Sequence, residues 1–146
     1  MFKIAFFDVD GTLLKMGEKD PSKKTVAALK QLQEQGVLLC MATGRSYPMV
    51  PTFEEIDFDI LLAFNGSYVA NKEQVIFDKP INHNDKNTII QNLKNMKRPV
   101  AISNEYVMVA NGTDEDLDQY FAFGGEKDNL SEEFNNVADG DVYQIM

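Results

Sequence analysis

Two carboxylates, Asp8 and Asp10, stand two residues apart where a short apolar run, residues 4–7, ends. The run predicts a strand buried on both faces, and such a strand delivers the acids to the edge of a sheet. Because side chains at positions i and i+2 of an extended chain point the same way, we expect both carboxylates to converge on one small volume. Gly11 follows them and predicts a sharp turn that brings backbone amides close to that volume.

The chemistry that suits this pair is phosphoryl transfer. Two close carboxylates repel each other unless a cation or a proton lies between them, and Mg2+ is a hard, oxygen-binding cation that fits Asp8 and Asp10 as ligands. Asp8 can attack phosphorus, while Asp10 can protonate the leaving oxygen and later deprotonate water. The alternative is a solvated turn that carries two acids. The buried strand before the pair and residues 11–14 after it disfavour that interpretation.

A known motif covers the same residues. Asp8, Asp10 and Thr12 match the pattern Asp-x-Asp-x-Thr after a hydrophobic strand. The sequence therefore resembles the haloacid dehalogenase (HAD) superfamily. The resemblance implies an α/β fold, a Rossmann-like core with a parallel sheet, and a Mg2+-dependent reaction with Asp8 as nucleophile and Asp10 as acid/base.

The elements that must position these residues follow the order strand, helix, strand. Asp20 and Pro21 predict the N-cap and the first residue of a helix, and Gly36 predicts its end. Residues 37–42 form a second apolar run, so we expect two parallel strands joined by a right-handed crossover. Cys40 lies in this run, where a buried structural thiol is favoured over a catalytic one.

Polar residues also follow the second strand. Ligands of an open parallel sheet lie beyond the carboxyl ends of its strands, so Thr43 is expected to face the same crevice as Asp8. Its hydroxyl and the neighbouring amides, including that of Gly44, can hold phosphoryl oxygens, although Thr43 can also simply cap the next segment. Arg45 can clamp a substrate phosphate or be solvated. Residues 41–45 resemble the second motif of the Cof-type branch of the superfamily.

A third buried strand, residues 60–64, is predicted to end in the turn Asn65-Gly66. The turn resembles one that borders the substrate in the Cof-type branch, which implies substrate binding by Asn65. Turn chemistry alone explains Asn-Gly equally well. Residues 68–70 and 74–77 alternate in hydrophobicity and predict a hairpin beyond this turn.

From residue 80 onward the pattern changes to α+β. A helix is predicted over 84–96, with an apolar face made of Ile89, Ile90, Leu93 and Met96. Two strands are predicted over 99–103 and 106–110. They are followed by an acidic helix start at 114–118, a helical turn at 130–134 and a strand over 141–146. This order resembles the start of the class IIB cap of Cof-type proteins. We therefore expect residues 1–79 to be the N-terminal part of a HAD-like core and residues 80–146 a partial cap that closes over the site.

Composition excludes several classes of protein. The 146 residues, 44% of them hydrophobic, suffice for one domain or for one domain and part of another. A net charge of -9 argues against a nucleic-acid partner. No apolar run approaches the roughly 18 residues of a membrane span, and the N-terminus lacks a secretory pattern. The single cysteine excludes an internal disulfide. We therefore expect a cytoplasmic protein.

Half of the family's catalytic groups are not identifiable. The resemblance implies a lysine as third motif and an acidic cluster as fourth, and neither Lys79 nor Lys127 stands where the third motif requires it. We therefore expect the N-terminal piece of a longer Mg2+-dependent phosphatase that acts on small phosphorylated metabolites such as sugar phosphates. The alternative is a truncated, non-catalytic module that binds a cation or phosphate without turnover. Half-built sheet edges also predict a possible homodimer.

Overall fold

The computed structural model describes residues 3–124, 131 and 133–146. The described chain divides into two compact units. Residues 3–45 and 49–78 form the first unit, and the described parts of 46–48 and 79–146 form the second.

The first unit is built on a five-stranded sheet in the order β1-β2-β3-β4-β5. Its strands are β1 Lys3–Phe7, β2 Val37–Ala42, β3 Ile60–Ala63, β4 Tyr68–Asn71 and β5 Val75–Asp78, and its helix is α1 Lys23–Glu34. β1, β2 and β3 are parallel, whereas β4 and β5 form an antiparallel hairpin. The predicted α/β class, parallel sheet and hairpin are confirmed. Because the three parallel strands are neighbours, their carboxyl ends meet at one edge of the sheet.

The start of α1 differs from the prediction. Ser22, and not Asp20, is the N-cap, and its Oγ accepts a hydrogen bond of 3.1 Å from the backbone N–H of Thr25. Pro21 therefore precedes the cap instead of opening the helix. The predicted end is correct, because Gly36 follows the helix with a left-handed φ of +72°.

The predicted burial of β1 on both faces is wrong. Ile4 and Phe6 are 44% and 59% exposed, so only one face of β1 is covered. On the covered face, Phe7 packs against Phe58 with ring centroids 6.5 Å apart. The core of this unit lies beside that face and contains Val9, Leu13, Leu14, Leu29, Leu39, Met41, Phe53, Ile56 and Phe58.

The second unit is α+β, as predicted. Three short strands, β6 Ala101–Ser103, β7 Met108–Ala110 and β8 Gln144–Ile145, pair antiparallel in the order β7-β6-β8. The helices are α2 His83–Asn95, α3 Glu115–Gly124 and α4 Phe134–Asp139. The helical turn predicted at 130–134 falls largely outside the described residues.

The buried face of α2 matches the predicted apolar face only in part. Ile90 and Leu93 pack against the core of the second unit, but Ile89 and Met96 are exposed. The fully buried residue of this helix is Lys86, whose Nζ donates a 2.6 Å hydrogen bond to the carbonyl of Gly140 at the end of α4. A lysine in a helical pattern ordinarily predicts a solvated position, so this contact could not be anticipated.

Candidate active site

The turn that follows β1 is fixed by backbone hydrogen bonds and by buried side chains. Leu13 N–H donates to the Asp8 carbonyl at 3.2 Å, Leu14 N–H donates to the Val9 carbonyl at 2.9 Å, and Gly11 N–H donates to the Leu14 carbonyl at 2.7 Å. Gly11 has a φ of +83°, so the sharp turn predicted there is observed. Val9, Leu13 and Leu14 are buried in the core. The turn is therefore anchored in the core by its apolar side chains.

Asp8 and Asp10 lie beyond the end of β1, and not in the extended chain that the prediction assumed. β1 ends at Phe7, so the i, i+2 rule for strands does not apply to Asp8 and Asp10. Asp8 lines a cavity of about 270 Å³ in the first unit. Asp10 and Gly11 are not among the residues lining this cavity, and the Gly11 amide is used within the turn.

The cavity joins the three loops that follow β1, β2 and β3. Its lining consists of Asp8, Ala42, Thr43, Gly44, Leu62, Asn65 and Gly66. The predicted convergence of Asp8, Thr43, Gly44 and Asn65 on one crevice is thus observed. Gly66 belongs to the predicted Asn65-Gly66 turn. Ala42 and Leu62 were not predicted as lining residues, although they flank the same strand ends and the strand-end rule alone could have identified them.

Thr43, in the loop after β2, is buried, with 6% of its surface exposed. Its backbone N–H donates to the Leu62 carbonyl at 2.9 Å, and its Oγ1 accepts from the Arg45 N–H at 3.1 Å. A threonine hydroxyl that accepts one bond still has its own proton to donate. Thr43 therefore both closes the local turn and offers a hydrogen-bond donor, whereas the Arg45 amide is already used.

Arg45 holds Asp10 in a bidentate ion pair. Nε and Nη2 of Arg45 donate to the two carboxylate oxygens of Asp10 at 2.9 and 2.7 Å, and Nη1 donates to the Met49 carbonyl at 3.3 Å. The hydrogen bond from Arg45 lowers the pKa of Asp10, and the same bond raises the pKa of Arg45. The sequence suggested a phosphate clamp or a solvated side chain, and the pair with Asp10 is a third arrangement that neither alternative included.

The loops after β2 and β3 are bonded to each other along the backbone. Phe64 N–H donates to the Arg45 carbonyl at 2.9 Å, and Asn65 N–H donates to the Thr43 carbonyl at 3.1 Å. Phe64, predicted to be the last residue of the third strand, lies instead in a short 3₁₀ segment, Phe64–Gly66. These bonds hold the backbone of Asn65 beside the β2 loop, and Asn65 lines the cavity.

The acids of this site provide the oxygen ligands that a hard cation such as Mg2+ prefers. Asp8 and Asp10 supply carboxylate oxygens, and Mg2+ commonly binds through one or two carboxylates together with water and substrate phosphate. Among the residues that the structure describes, no group of three or more His, Cys, Asp or Glu is placed to hold a metal. The residues present therefore fit a cation that takes its other ligands from water and substrate.

Comparison with known proteins identifies the family to which this chain belongs. A family model described as haloacid dehalogenase-like hydrolase matches residues 5–146. The chain belongs to the HAD-like hydrolases. The family match includes all of the cavity-lining residues and the Asp10–Arg45 pair.

Several curated relatives of this HAD-like chain carry phosphatase names. A putative phosphatase of Bacillus subtilis, YkrA, is 34% identical over 115 residues, which cover 77% of this chain and 44% of the relative. An HMP-PP phosphatase of Klebsiella pneumoniae is 39% identical over 75 residues, which cover 50% of this chain and 27% of the relative. The chain thus spans less than half the length of these relatives.

Solved structures share the fold of this HAD-like chain. A hypothetical protein of Geobacillus kaustophilus has a TM-score of 0.82 and 26% identity, with 99% of this chain and 57% of that chain covered. The HAD subclass IIB sugar phosphatase BT4131 has a TM-score of 0.79 and 20% identity, with 98% and 57% covered. The family resemblance inferred from Asp8, Asp10 and Thr12 is confirmed.

Proposed function

We propose that this chain carries the nucleophile-bearing part of a Mg2+-dependent phosphatase that hydrolyses small phosphorylated metabolites through an aspartyl-phosphate. The observation that carries the proposal is the shared cavity of Asp8 and Thr43, which combines a carboxylate nucleophile with a hydroxyl donor. Phosphatase names among the curated relatives support the same class of reaction.

The reaction assigns one task to each residue. An Asp8 carboxylate oxygen forms a bond to phosphorus while the bond between phosphorus and the leaving oxygen breaks. Thr43 and Asn65 donate hydrogen bonds to the phosphoryl oxygens, whose charge grows during transfer. Asp10, which must first take up a proton from solvent, gives this proton to the leaving oxygen. It then takes a proton from the water that attacks phosphorus, the bond between phosphorus and Asp8 breaks, and inorganic phosphate leaves. Because Arg45 bonds both oxygens of Asp10, the pair must open before Asp10 can act.

We assign the cation to Asp8 and Asp10. When bound, Mg2+ would offset the negative charge of the phosphoryl group beside these acids. The proposal is supported by the oxygen character of the two side chains and by the preference of Mg2+ for such donors.

The substrate we propose is small, for example a sugar phosphate. The cavity of about 270 Å³ is open to solvent and would hold the phosphoryl end of such a substrate. In this proposal the second unit acts as the cap that selects among phosphorylated metabolites, and nucleic acid is not a partner. Among the described residues no helix is long and apolar enough to cross a membrane. A cytoplasmic location remains a prediction.

A second candidate, a module that binds a cation or phosphate without turnover, is favoured by one feature of the cavity. No lysine is present among the described residues that line it, and Asp10 is occupied by Arg45. A positively charged group beside the transferring oxygens stabilises the transition state of phosphoryl transfer. A site without such a group can therefore bind a cation or phosphate more readily than it can catalyse hydrolysis.

Hydrolysis of p-nitrophenyl phosphate with Mg2+ separates the two candidates. Asp8→Asn removes the nucleophile while keeping the side-chain size, so we expect turnover to fall by at least about a thousandfold. Asp20→Asn makes the same chemical change at an exposed residue outside the cavity and should leave turnover unchanged. Equal rates for the wild-type chain and Asp8→Asn would reject the enzymatic proposal, and saturable phosphate binding without turnover would favour the binding module.

A further inference from the structure

The turn after β3 has an unusual backbone. Three consecutive residues, Phe64, Asn65 and Gly66, have φ angles of +51°, +56° and +90°. Glycine adopts such angles freely and asparagine tolerates them, but a large aromatic residue does so at a cost. Phe64 is nevertheless buried, with 3% of its surface exposed. Strain of this kind persists only where the surroundings over-determine the conformation, and it is concentrated at functional sites.

The surroundings that hold the turn are the backbone bonds to the β2 loop. The carbonyls of Thr43 and Arg45 accept from consecutive amides of the strained turn at 3.1 and 2.9 Å, and Ser67 N–H closes the turn on the Phe64 carbonyl at 3.2 Å. An ordinary strand end would not bring both amides to the same loop. The unfavourable backbone angles are therefore coupled to the placement of the Asn65 side chain.

Gly44 supplies the space for that side chain. A Cβ added to Gly44 would lie 3.0 Å from Oδ1 of Asn65 and 3.5 Å from both Cγ and Nδ2. Gly44 has no left-handed φ, so its backbone alone does not require glycine. The space that a Cβ of residue 44 would occupy is instead filled by the carboxamide of Asn65. Asn65 lines the cavity together with Asp8 and Thr43.

We propose that Gly44 is a positioning residue that acts through Asn65. The strained turn aims the Asn65 carboxamide at the cavity, and the absence of a side chain at Gly44 lets the amide lie against the β2 loop, from which it donates to a phosphoryl oxygen. This inference rests on the proposed function, because it takes a phosphoryl group as the ligand of the cavity.

A double-mutant cycle tests the inference, with inorganic phosphate as probe in the presence of Mg2+ and binding followed by NMR chemical shifts of the full chain. Gly44→Ala keeps the Gly44 amide but displaces the carboxamide, so we expect phosphate binding to weaken by about fivefold, the effect of one lost hydrogen bond. Asn65→Gly removes the carboxamide, tolerates the left-handed φ and should weaken binding by the same factor. The double variant should be no worse than Asn65→Gly, because the added methyl group then meets no side chain.

Gly140→Ala is the matched control, because a Cβ there would meet no atom closer than 3.6 Å and the residue lies in the second unit. Its phosphate affinity should equal that of the wild type. If the losses from Gly44→Ala and Asn65→Gly multiply in the double variant, or if either single variant binds normally, the positioning role is wrong while the proposed function stands. If the wild-type chain binds no phosphate at all, both are overturned.

Discussion

Two residue pairs define the site: Asp8 and Thr43 line one cavity, and Arg45 holds Asp10 in an ion pair. Asp8 and Thr43 follow parallel neighbouring strands, so their meeting at one cavity followed from the sheet rule. The pair of Asp10 with Arg45 did not, since it joins residues 35 positions apart through a long side chain that can turn in several directions. Types and spacing thus located the site but did not predict which charges in it neutralise each other.

Replacing Arg45 tests what this ion pair does to the cation site. In Arg45→Gln the guanidinium no longer occupies the Asp10 oxygens, and one positive charge next to them is lost. We expect Mg2+ binding, measured by isothermal titration calorimetry, to tighten by about fivefold. Arg98→Gln removes an arginine that pairs with Asp114 and Asp116 in the second unit and should leave Mg2+ affinity unchanged. Unchanged or weaker binding in Arg45→Gln would contradict a cation site at Asp10.

Cys40 gives a second test at the residue scale. Its thiol is fully buried in β2, and burial raises its pKa to about 11. The thiolate is the reactive form, so at pH 8 the native chain should react with Ellman's reagent far more slowly than the chain unfolded in guanidinium chloride. No other cysteine contributes to the signal. Rapid reaction of the native chain would show that this part of β2 is accessible.

At the scale of elements, periodicity predicted which segments are helices and strands better than where they begin. α1 has its predicted end at Gly36, but its N-cap is two residues beyond the predicted Asp20. Both Asp and Ser are favourable N-caps, so composition cannot choose between Asp20 and Ser22. The burial of β1 was equally undetermined, because a continuous apolar run has the same sequence pattern in an edge strand as in a central one.

The N-cap assignment can be measured through stability. Ser22→Ala removes the Oγ that accepts from Thr25 N–H, so the free energy of unfolding in urea should fall by about 1 kcal/mol. Asp20→Ala removes the side chain that the sequence favoured, and the stability should change by less than about 0.5 kcal/mol because Asp20 is exposed and caps no helix. If the free energy of unfolding fell more in Asp20→Ala than in Ser22→Ala, Asp20 and not Ser22 would be the N-cap.

At the scale of the whole molecule, the change from α/β to α+β architecture was visible in the sequence, because continuous apolar runs give way to an amphipathic helix and short alternating strands. Ile90 and Leu93 pack against the core of the second unit as their spacing predicts, whereas Ile4, Phe6, Ile89 and Met96 are exposed. The burial of each face of the sheet in the first unit was not predictable, since it depends on which elements pack against that face. The edges of this sheet are β1 and β5 within the described chain, and both carry exposed apolar residues.

We propose that the exposed edge at β1 drives self-association, and one substitution tests it. Ile4 and Phe6 are apolar and exposed on a strand that pairs, among the described strands, only with β2, so a second copy can cover both the apolar face and the free backbone groups. The net charge of -9 opposes association, which should therefore strengthen with salt. In sedimentation over a concentration series, Phe6→Lys should shift the chain towards monomer, because a charged edge disfavours strand pairing. Tyr106→Lys, at a residue 80% exposed in the second unit, should not. A wild-type chain that stays monomeric at every concentration and salt level would rule out the β1 edge as an interface between copies.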